Sequence, residues 1–303
     1  MKVLVTGAAG FIGSHIVDAL RTEGHEVVGI DNLSSGVRTN LPADVVLHEV
    51  DIRDPAAAEV IGAFAPDVLC HHAAQIDVRK SVQDPANDAD VNVAGTLRVL
   101  EACRRSGCRR VVFASTGGAI YGEQDVFPAT EDHPQRPMSP YGCAKRSVEV
   151  YLDYYAREYG FATTSLRYAN VYGPRQNAHG EAGVVAIFAG QLLTGAPTMI
   201  FGDGGQTRDF VHVADIAAAN LAAIGHELRG AYNVGTGVEV SVYELYEKMR
   251  AIVGGAPPVY RPARPGEQRR SCIDASRLRA ATGWEPRVAL DVGLASTIES
   301  LRR

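Results

Sequence analysis

The sequence predicts an α/β protein, a doubly wound parallel sheet of Rossmann type with a smaller mixed α/β lobe at its C-terminal end. Three observations predict it. Strand-like and helix-like segments alternate through residues 1–170. Glycines at 7, 10 and 13 punctuate the first strand-to-helix turn. An acid, Asp31, ends the second strand, 18 residues past Gly13.

The first strand, 2–6, is the apolar run Lys2-Val-Leu-Val-Thr6, and a helix is expected over 11–23. Between them, Gly7, Gly10 and Gly13 allow a tight turn, close approach of backbone to a pyrophosphate, and close packing of helix on strand. The helix N-terminus, at Phe11 and Ile12, offers free N–H groups and a positive dipole end to phosphates. A second strand over 26–30 ends at Asp31, whose carboxylate accepts both hydroxyls of an adenosine ribose and repels a 2′-phosphate. That favours NAD over NADP; Arg38 is the one nearby feature pointing the other way.

Further strands are expected at 45–50, 67–71, 110–114 and 163–168, with helices at 55–64, 86–106 and 141–159. Ligands of doubly wound sheets bind beyond the C-terminal strand ends. Asp51-Ile52, His72-Ala73-Ala74-Gln75, Ser115-Thr116-Gly117-Gly118 and Tyr168-Ala-Asn170 all fall there, so distant segments converge on one crevice. After residue 170 the pattern loosens into short strands (198–201, 209–212, 231–234), helices (182–194, 213–226, 241–253) and a Pro/Arg-rich stretch at 257–270. Residues 1–170 are expected to bind dinucleotide, and 171–303 to form a substrate lobe that does not fold alone and partly returns to the first domain.

Tyr141 and Lys145 are four apart on the helix over 141–159, so phenol and ammonium can share one pocket. A cation favours phenolate, and a base useful near neutrality needs a fall of roughly 3 pKa units, about 4 kcal/mol. Lys145 together with a cationic nicotinamide ring is expected to supply it.

Composition excludes other classes. The 303 residues carry a net charge of −5 with no basic tract, which gives no sign of a nucleic-acid partner. No apolar run approaches the ~20 residues of a membrane span. The first strand starts at residue 2, leaving no room for a signal peptide, so a cytoplasmic protein is expected. Five cysteines, odd in number and without metal-type spacing, read as free thiols, with Cys143 a packing residue. His71 and His72 lack a third ligand at metal spacing and read as packing or backbone-shaping residues; no metal is expected.

With these residues assembled, the chain resembles the extended short-chain dehydrogenase/reductase family over essentially its whole length, and within it the UDP-glucose (UDP-galactose) 4-epimerases. The resemblance is carried by Thr6-Gly-Ala-Ala-Gly-Phe-Ile-Gly13, Asp31-Asn-Leu-Ser-Ser-Gly36, Asp51-Ile-Arg-Asp54, His72-Ala-Ala-Gln75 and Asn92-Val-Ala-Gly-Thr96. Further on come Tyr141-Gly-Cys-Ala-Lys145, Arg167-Tyr-Ala-Asn-Val-Tyr-Gly-Pro-Arg175, Gly202-Asp-Gly-Gly-Gln-Thr-Arg-Asp-Phe210 and Arg264-Pro-Gly-Glu267.

The resemblance implies an enzyme that inverts C4 of a UDP-hexose through a transient 4-keto sugar, with NAD regenerated in each cycle. It implies Thr116, Tyr141 and Lys145 as catalytic residues. It adds Asn32, Ser35, Gly36, Asp51, Ile52, Ala73, Ala74, Gln75, Asn92 and Tyr168 to the cofactor site. For the substrate it implies Arg208 and Arg264 on the diphosphate, Asn170 on the diphosphate or sugar, Phe210 lining the uridine pocket and Glu267 on the uridine ribose. Ser271, four past Glu267, would gate the sugar C2 substituent, and its small size would admit an N-acetyl group; a one-residue slip puts Arg270 or Cys272 there. The family also implies a homodimer through helices 86–106 and 141–159, the latter carrying Tyr151, Tyr154, Tyr155 and Tyr159.

Family dehydratases place an Asp-Glu pair directly after the catalytic hydroxyl, where this chain has Gly117 and Gly118. Counting forward from Phe113 puts Thr116 at the hydroxyl, whereas counting back from Tyr121 puts Gly117 there. Only the first register supplies a hydroxyl, with Ser115 the alternate. An NAD-dependent nucleotide-sugar dehydrogenase, or an epimerase of another sugar, is the enzyme alternative. A non-catalytic dinucleotide sensor would be expected to lose the Tyr–Lys pair, which is intact.

Overall fold

The computed structural model describes residues 1–177, 183–263 and 268–302. Strands β1 (Lys2–Thr6), β2 (Glu26–Asp31), β3 (Val46–Glu49), β4 (Val68–His71), β5 (Arg110–Thr116) and β6 (Ala162–Tyr168) follow the predicted runs within a residue or two. Helices α1 (Phe11–Thr22) and α2 (Pro55–Phe64) cover the crossovers after β1 and β3. Among the described residues seven strands form one parallel sheet, ordered β10-β6-β5-β4-β1-β2-β3, with β10 (Gly230–Val234) arriving from the C-terminal half. The order reverses between β1 and β4. A crevice therefore opens beyond the strand ends at Thr6 and His71.

The expected helix over 86–106 is broken. Asp84 caps a short turn, α4 (Pro85–Ala89), a π-helical turn follows at Asp90–Gly95, and α5 (Thr96–Ser106) completes the run. The widening occurs where Asn92 turns its amide onto the backbone of Gln75. A preceding helix, α3 (Val78–Gln83), is capped by Asp77. Beyond β5 lies a single turn, α6 (Gly117–Ile120), and then the long helix α7 (Pro140–Tyr159). Ser139 caps α7 by accepting from the Gly142 amide at 3.1 Å, with Pro140 at its first position. The cap fixes where the helix starts, one residue before Tyr141.

The C-terminal half adds β7 (Asn170–Tyr172), α8 (Val184–Thr194), β8 (Met199–Phe201), β9 (Thr207–His212) and α9 (Val213–Gly225). It continues after β10 with β11 (Glu239–Ser241), α10 (Val242–Val253), β12 (Val259–Arg261), β13 (Arg270–Ser271), α11 (Ser276–Thr282) and α12 (Leu290–Leu301). β9 pairs with β7, β11 and β13 in a separate small sheet. One core layer joins α1 and α9 to the main sheet through Ile16, Leu20, Ile216 and Ile224, and another packs Ile61, Leu100, Leu152 and Phe161 on the opposite face. A third core, around Tyr172, Phe188, Tyr246 and Leu294, holds the small sheet against α8, α10 and α12.

Candidate functional site

The glycines build a cradle that side chains would fill. Gly7 has φ +67°, and a Cβ there would lie 2.7 Å from the Ala73 nitrogen across the crevice. A Cβ on Gly13 would fall 2.0 Å from the Gly7 carbonyl oxygen. Gly10 caps α1 without a side-chain hydrogen bond, so the first-turn N–H groups of Phe11 and Ile12 have no intrahelical acceptor. This arrangement fits a diphosphate of a dinucleotide.

Asp31 is nearly buried at the end of β2, accepting from the amides of Ala9 at 3.0 Å and Leu33 at 2.8 Å. Burial raises its pKa, and those amides oppose the rise. A Cβ on Gly36 would touch its carboxylate at 2.9 Å, so only glycine leaves that side open. Arg38 turns away, donating to the carbonyls of Leu41, Pro42, Ala43 and Val45 at 3.1–3.4 Å. The one feature favouring a 2′-phosphate is therefore tied into its own loop. Asn32 donates to Asp51 at 2.9 Å, and the Arg53 guanidinium holds the Asp51 carboxyl well below the usual carboxylate range. Ile52 is buried beneath them and Ser35 is exposed on the loop.

The Ala73–Ala74–Gln75 loop is tied down on both sides. The Thr6 hydroxyl accepts from the amides of His72 and Ala73 at 3.2 Å and donates to His71 Nδ1 at 2.7 Å. His71 Nε2 then donates to Thr96, whose hydroxyl donates to the Asn92 carbonyl at 2.7 Å, which fixes the His71 tautomer. His72 meets the Tyr168 hydroxyl at 3.0 Å, and Asn220 donates to that hydroxyl at 2.8 Å. Burial, then the Lys145 charge, lowers both histidines to about 3, so they stay neutral. On the other side Asn92 accepts from the Gln75 amide and donates to the Gln75 carbonyl, both at 2.9 Å.

At the end of β5 the side chains alternate. Ser115 is buried and donates to Glu149 at 2.6 Å. Thr116, on the other face, caps α6 by accepting from the Ala119 amide at 3.2 Å, which leaves its hydroxyl hydrogen free to donate. A Cβ at Gly118 would lie 3.9 Å from the Thr116 hydroxyl oxygen and 3.7 Å from Asn170 Oδ1, so Thr116 and Asn170 flank one open point. The helix α7 presses on α6 so closely that a Cβ on Gly142 would meet the Ala119 carbonyl at 2.7 Å. That contact sets the start of α7, which carries Tyr141, against the turn that follows Thr116. Lys145 is buried, donates to the Ala114 carbonyl at 2.8 Å, and its Nζ sits 5.8 Å from the Tyr141 ring centre.

Burial pushes the Lys145 ammonium down to about 8, with Asp88 and Glu149 opposing the fall. Burial, with Asp88 adding to it, raises the Tyr141 phenol above its ordinary range. Within the polypeptide alone, desolvation therefore outweighs the nearby cation, and the lowering a base requires depends on further positive charge from a bound ligand.

On the substrate side, Arg208 and Ser271 face each other in the β9–β13 register, with Ser271 buried. Arg208 Nη1 donates to its neighbour's carbonyl, Thr207, at 2.7 Å. Arg270 is committed to the surface, donating from Nε to Glu239 at 2.9 Å with its Cζ 3.7 Å from the Phe127 ring centre. Phe210 is buried edge-on to Tyr172 in the small-sheet core. Arg264 and Glu267 lie outside the described residues. Cys143, expected as a packing residue, is exposed on the outer face of α7.

Sequence reasoning passed over three buried charges beside this site. Glu149 and Arg167 form a buried pair at 2.6 Å, and Asp88 is buried next to the Gln75 clamp. Glu149 follows Lys145 by four residues, a helical spacing that put it on the same face. Asp88 precedes Asn92 by four, but the π turn between them hid the relation.

A profile of the NAD dependent epimerase/dehydratase family matches residues 3–235. The chain is 48% identical over 309 residues to the UDP-glucose 4-epimerase of Mycolicibacterium smegmatis, covering 100% of this chain and 99% of that protein. It matches a crystal structure of the Thermotoga maritima UDP-glucose 4-epimerase with UDP-glucose at TM-score 0.98 and 46% identity, covering 100% of this chain and 99% of that one. It matches the Thermus thermophilus UDP-glucose 4-epimerase in complex with NAD at TM-score 0.95 and 46% identity, with the same coverage.

Proposed function

The chain belongs to the NAD dependent epimerase/dehydratase family, and from that premise we propose that it is a UDP-hexose 4-epimerase interconverting UDP-glucose and UDP-galactose. The observation that carries this reading is the Lys145 ammonium beside the Tyr141 ring and bonded to the end of the strand that bears Thr116, where Gly117 and Gly118 supply no acid–base pair. Such a site can move a proton at one sugar hydroxyl but has no group to expel water from a neighbouring carbon.

Bound NAD supplies the acceptor and donor for the C4 hydride. Tyr141 takes the proton from the 4-hydroxyl and later returns it. Thr116 donates a hydrogen bond to O4, since its oxygen already accepts from Ala119. Lys145, held on Ala114, keeps positive charge beside the phenol and reaches the nicotinamide ribose. Asp31 receives the adenosine ribose, and the cradle of Gly7, Gly10 and Gly13 receives the pyrophosphate. Gly36, Asn32 and Ser35, with Asp51 and Ile52, would border the adenosine, and the loop 73–75 with Asn92 and Tyr168 would hold the rest of the cofactor. Asn170, and from the 171–303 lobe Arg208, Phe210, Ser271, Arg264 and Glu267, would hold the UDP-sugar. Tethering through UDP lets the 4-keto sugar turn over without escaping.

Incubation with UDP-glucose tests the reading. It should yield UDP-galactose with no rise in absorbance of reduced nicotinamide. Net NADH would make it a dehydrogenase, and a 4-keto-6-deoxy product a dehydratase.

The enzyme is further proposed to act as a homodimer through the helical segments over 86–106 and 141–159. On α7, Val150, Tyr151, Tyr154 and Tyr159 are all more than a third exposed, more apolar surface than a solvated face carries. Light scattering should give about twice the 32.3 kDa chain mass. No helix among the described residues is long and apolar enough to cross a membrane. Unpaired cysteines at 70, 103, 108, 143 and 272 support a reducing, cytoplasmic setting.

A further inference from the structure

Asp88 is 1% exposed, one of the least accessible acids in the chain. Its Oδ1 accepts from Gln75 Nε2 at 2.9 Å and from Asn92 Nδ2 at 3.0 Å. Its Oδ2 is buried with no partner among the described residues. A buried carboxylate with only one oxygen satisfied is unfavourable, so its retention calls for a role beyond packing. Its helix, α4, packs against α7, which carries Tyr141 and Lys145.

We propose that Asp88 is a positioning residue for the epimerase reaction: it clamps the Ala73–Gln75 loop through one oxygen and sets a buried negative charge beside the Tyr141–Lys145 face of α7. The inference rests on the reading of the site given above. The clamp works through both partners, because Asn92 holds the Gln75 backbone while Asp88 holds the Asn92 and Gln75 side chains. The charge acts on the other side. Asp88 raises the pKa of both Tyr141 and Lys145, which keeps Lys145 an ammonium against its burial and makes the phenol a stronger base once deprotonated.

The other charges around Asp88 are matched or face solvent. Asp84 caps α4, Asp77 caps α3, and Arg79 lies 4.0 Å from Asp77. Lys80 is exposed on α3, and Asp90 on the π turn pairs with Arg53 at 3.0 Å. On α7, Glu149 is held by Arg167, and Arg146 lies 3.7 Å from Glu149. Glu149, which also acts on Lys145, is held by Arg167, and Asp88 is the acid that acts on both Tyr141 and Lys145.

Asp88→Asn tests the charge, since it keeps an oxygen for Gln75 and Asn92 while removing the charge. Epimerisation is followed against pH in wild type and variant, and Tyr141 is titrated by ultraviolet difference absorbance of each protein against its own Tyr141→Phe counterpart. Both limbs of the rate profile, and the Tyr141 titration, should move to lower pH by roughly one unit, the scale of one charge acting across a buried pocket. Asp88→Ser, should the first variant fold poorly, is expected to move them the same way. Gln75→Ala should instead lower the NAD content of purified protein several-fold and leave the limbs in place. Limbs and titration unmoved within about 0.3 unit in a folded, active Asp88 variant would overturn the proposal, since a merely structural acid lowers the amplitude alone. A wild type that does not epimerise would defeat the functional reading, while the ultraviolet titration would still decide the role of Asp88.

Discussion

Replacing Glu149 with alanine should destabilise the fold more than almost any other single change near the site. Arg167 is 3% and Glu149 4% exposed, and Arg167 donates to both carboxylate oxygens, at 3.0 Å from Nε and 2.6 Å from Nη2. Its Nη1 also donates to the Tyr121 hydroxyl at 3.0 Å and the Glu131 carbonyl at 3.1 Å, and Glu149 accepts from Ser115. Glu149→Ala leaves a buried guanidinium without a counter-charge, which costs about 3–5 kcal/mol. Set against an unfolding entropy of roughly 0.6 kcal/mol per kelvin for a chain of this length, the loss is about 5–8 °C in Tm. Thermal melts with saturating NAD read it directly. Arg167→Met combined with Glu149→Leu removes both charges and fills the space, so the double variant should recover at least about 2 kcal/mol relative to the sum of the two single changes. Activity of Glu149→Ala should fall as well, because Ser115 loses the acceptor that turns Thr116 to the opposite face. A Tm within about 1 °C of wild type, or strictly additive single variants, would refute the picture of one coupled buried network.

Tyr141→Phe removes only the proton acceptor and should cut turnover by about three orders of magnitude or more while NAD remains bound, read by product chromatography and bound-cofactor absorbance; activity within tenfold of wild type would remove Tyr141 from the role of base. Asp31→Ala should weaken discrimination against NADP, measured as the ratio of the two dissociation constants, because it removes the carboxylate that would face a 2′-phosphate. Purified wild type carrying mainly NADP would contradict this. Ser271→Tyr should abolish any activity on UDP-N-acetylglucosamine while sparing UDP-glucose, whereas a wild type inactive on the N-acetyl sugar would dismiss Ser271 as the gate.

The parallel sheet was legible because its strands are continuous apolar runs with polar punctuation at their C-terminal ends, and the order of those punctuations located the crevice. Tyr141 and Lys145 stood out because their four-residue spacing falls downstream of the glycine turn and Asp31, where spacing alone would have said little. Ser115 and Thr116 were not separable by counting, since adjacent strand residues face opposite ways and the count from either side differs by one. The bonds from Ser115 to Glu149 and from the Ala119 amide to Thr116 resolve the direction. The segments β7, β11, β12 and β13 escaped notice because strands of two or three residues have no periodicity of their own; β13 exists by pairing with β9, far earlier in the chain. Asp88 was passed over for a related reason. Its significance lies in burial and in partners on a loop and a π turn, neither of which composition marks.

The central claim is that hydride leaves C4 and returns to the same carbon on the opposite face, held by the enzyme throughout. UDP-[4-²H]glucose incubated with the purified protein in ordinary water measures it. The predicted product is UDP-galactose that retains deuterium at C4, observed by NMR, with no accumulation of reduced nicotinamide. Product that has lost the label to solvent, or that carries it at a carbon other than C4, would contradict it.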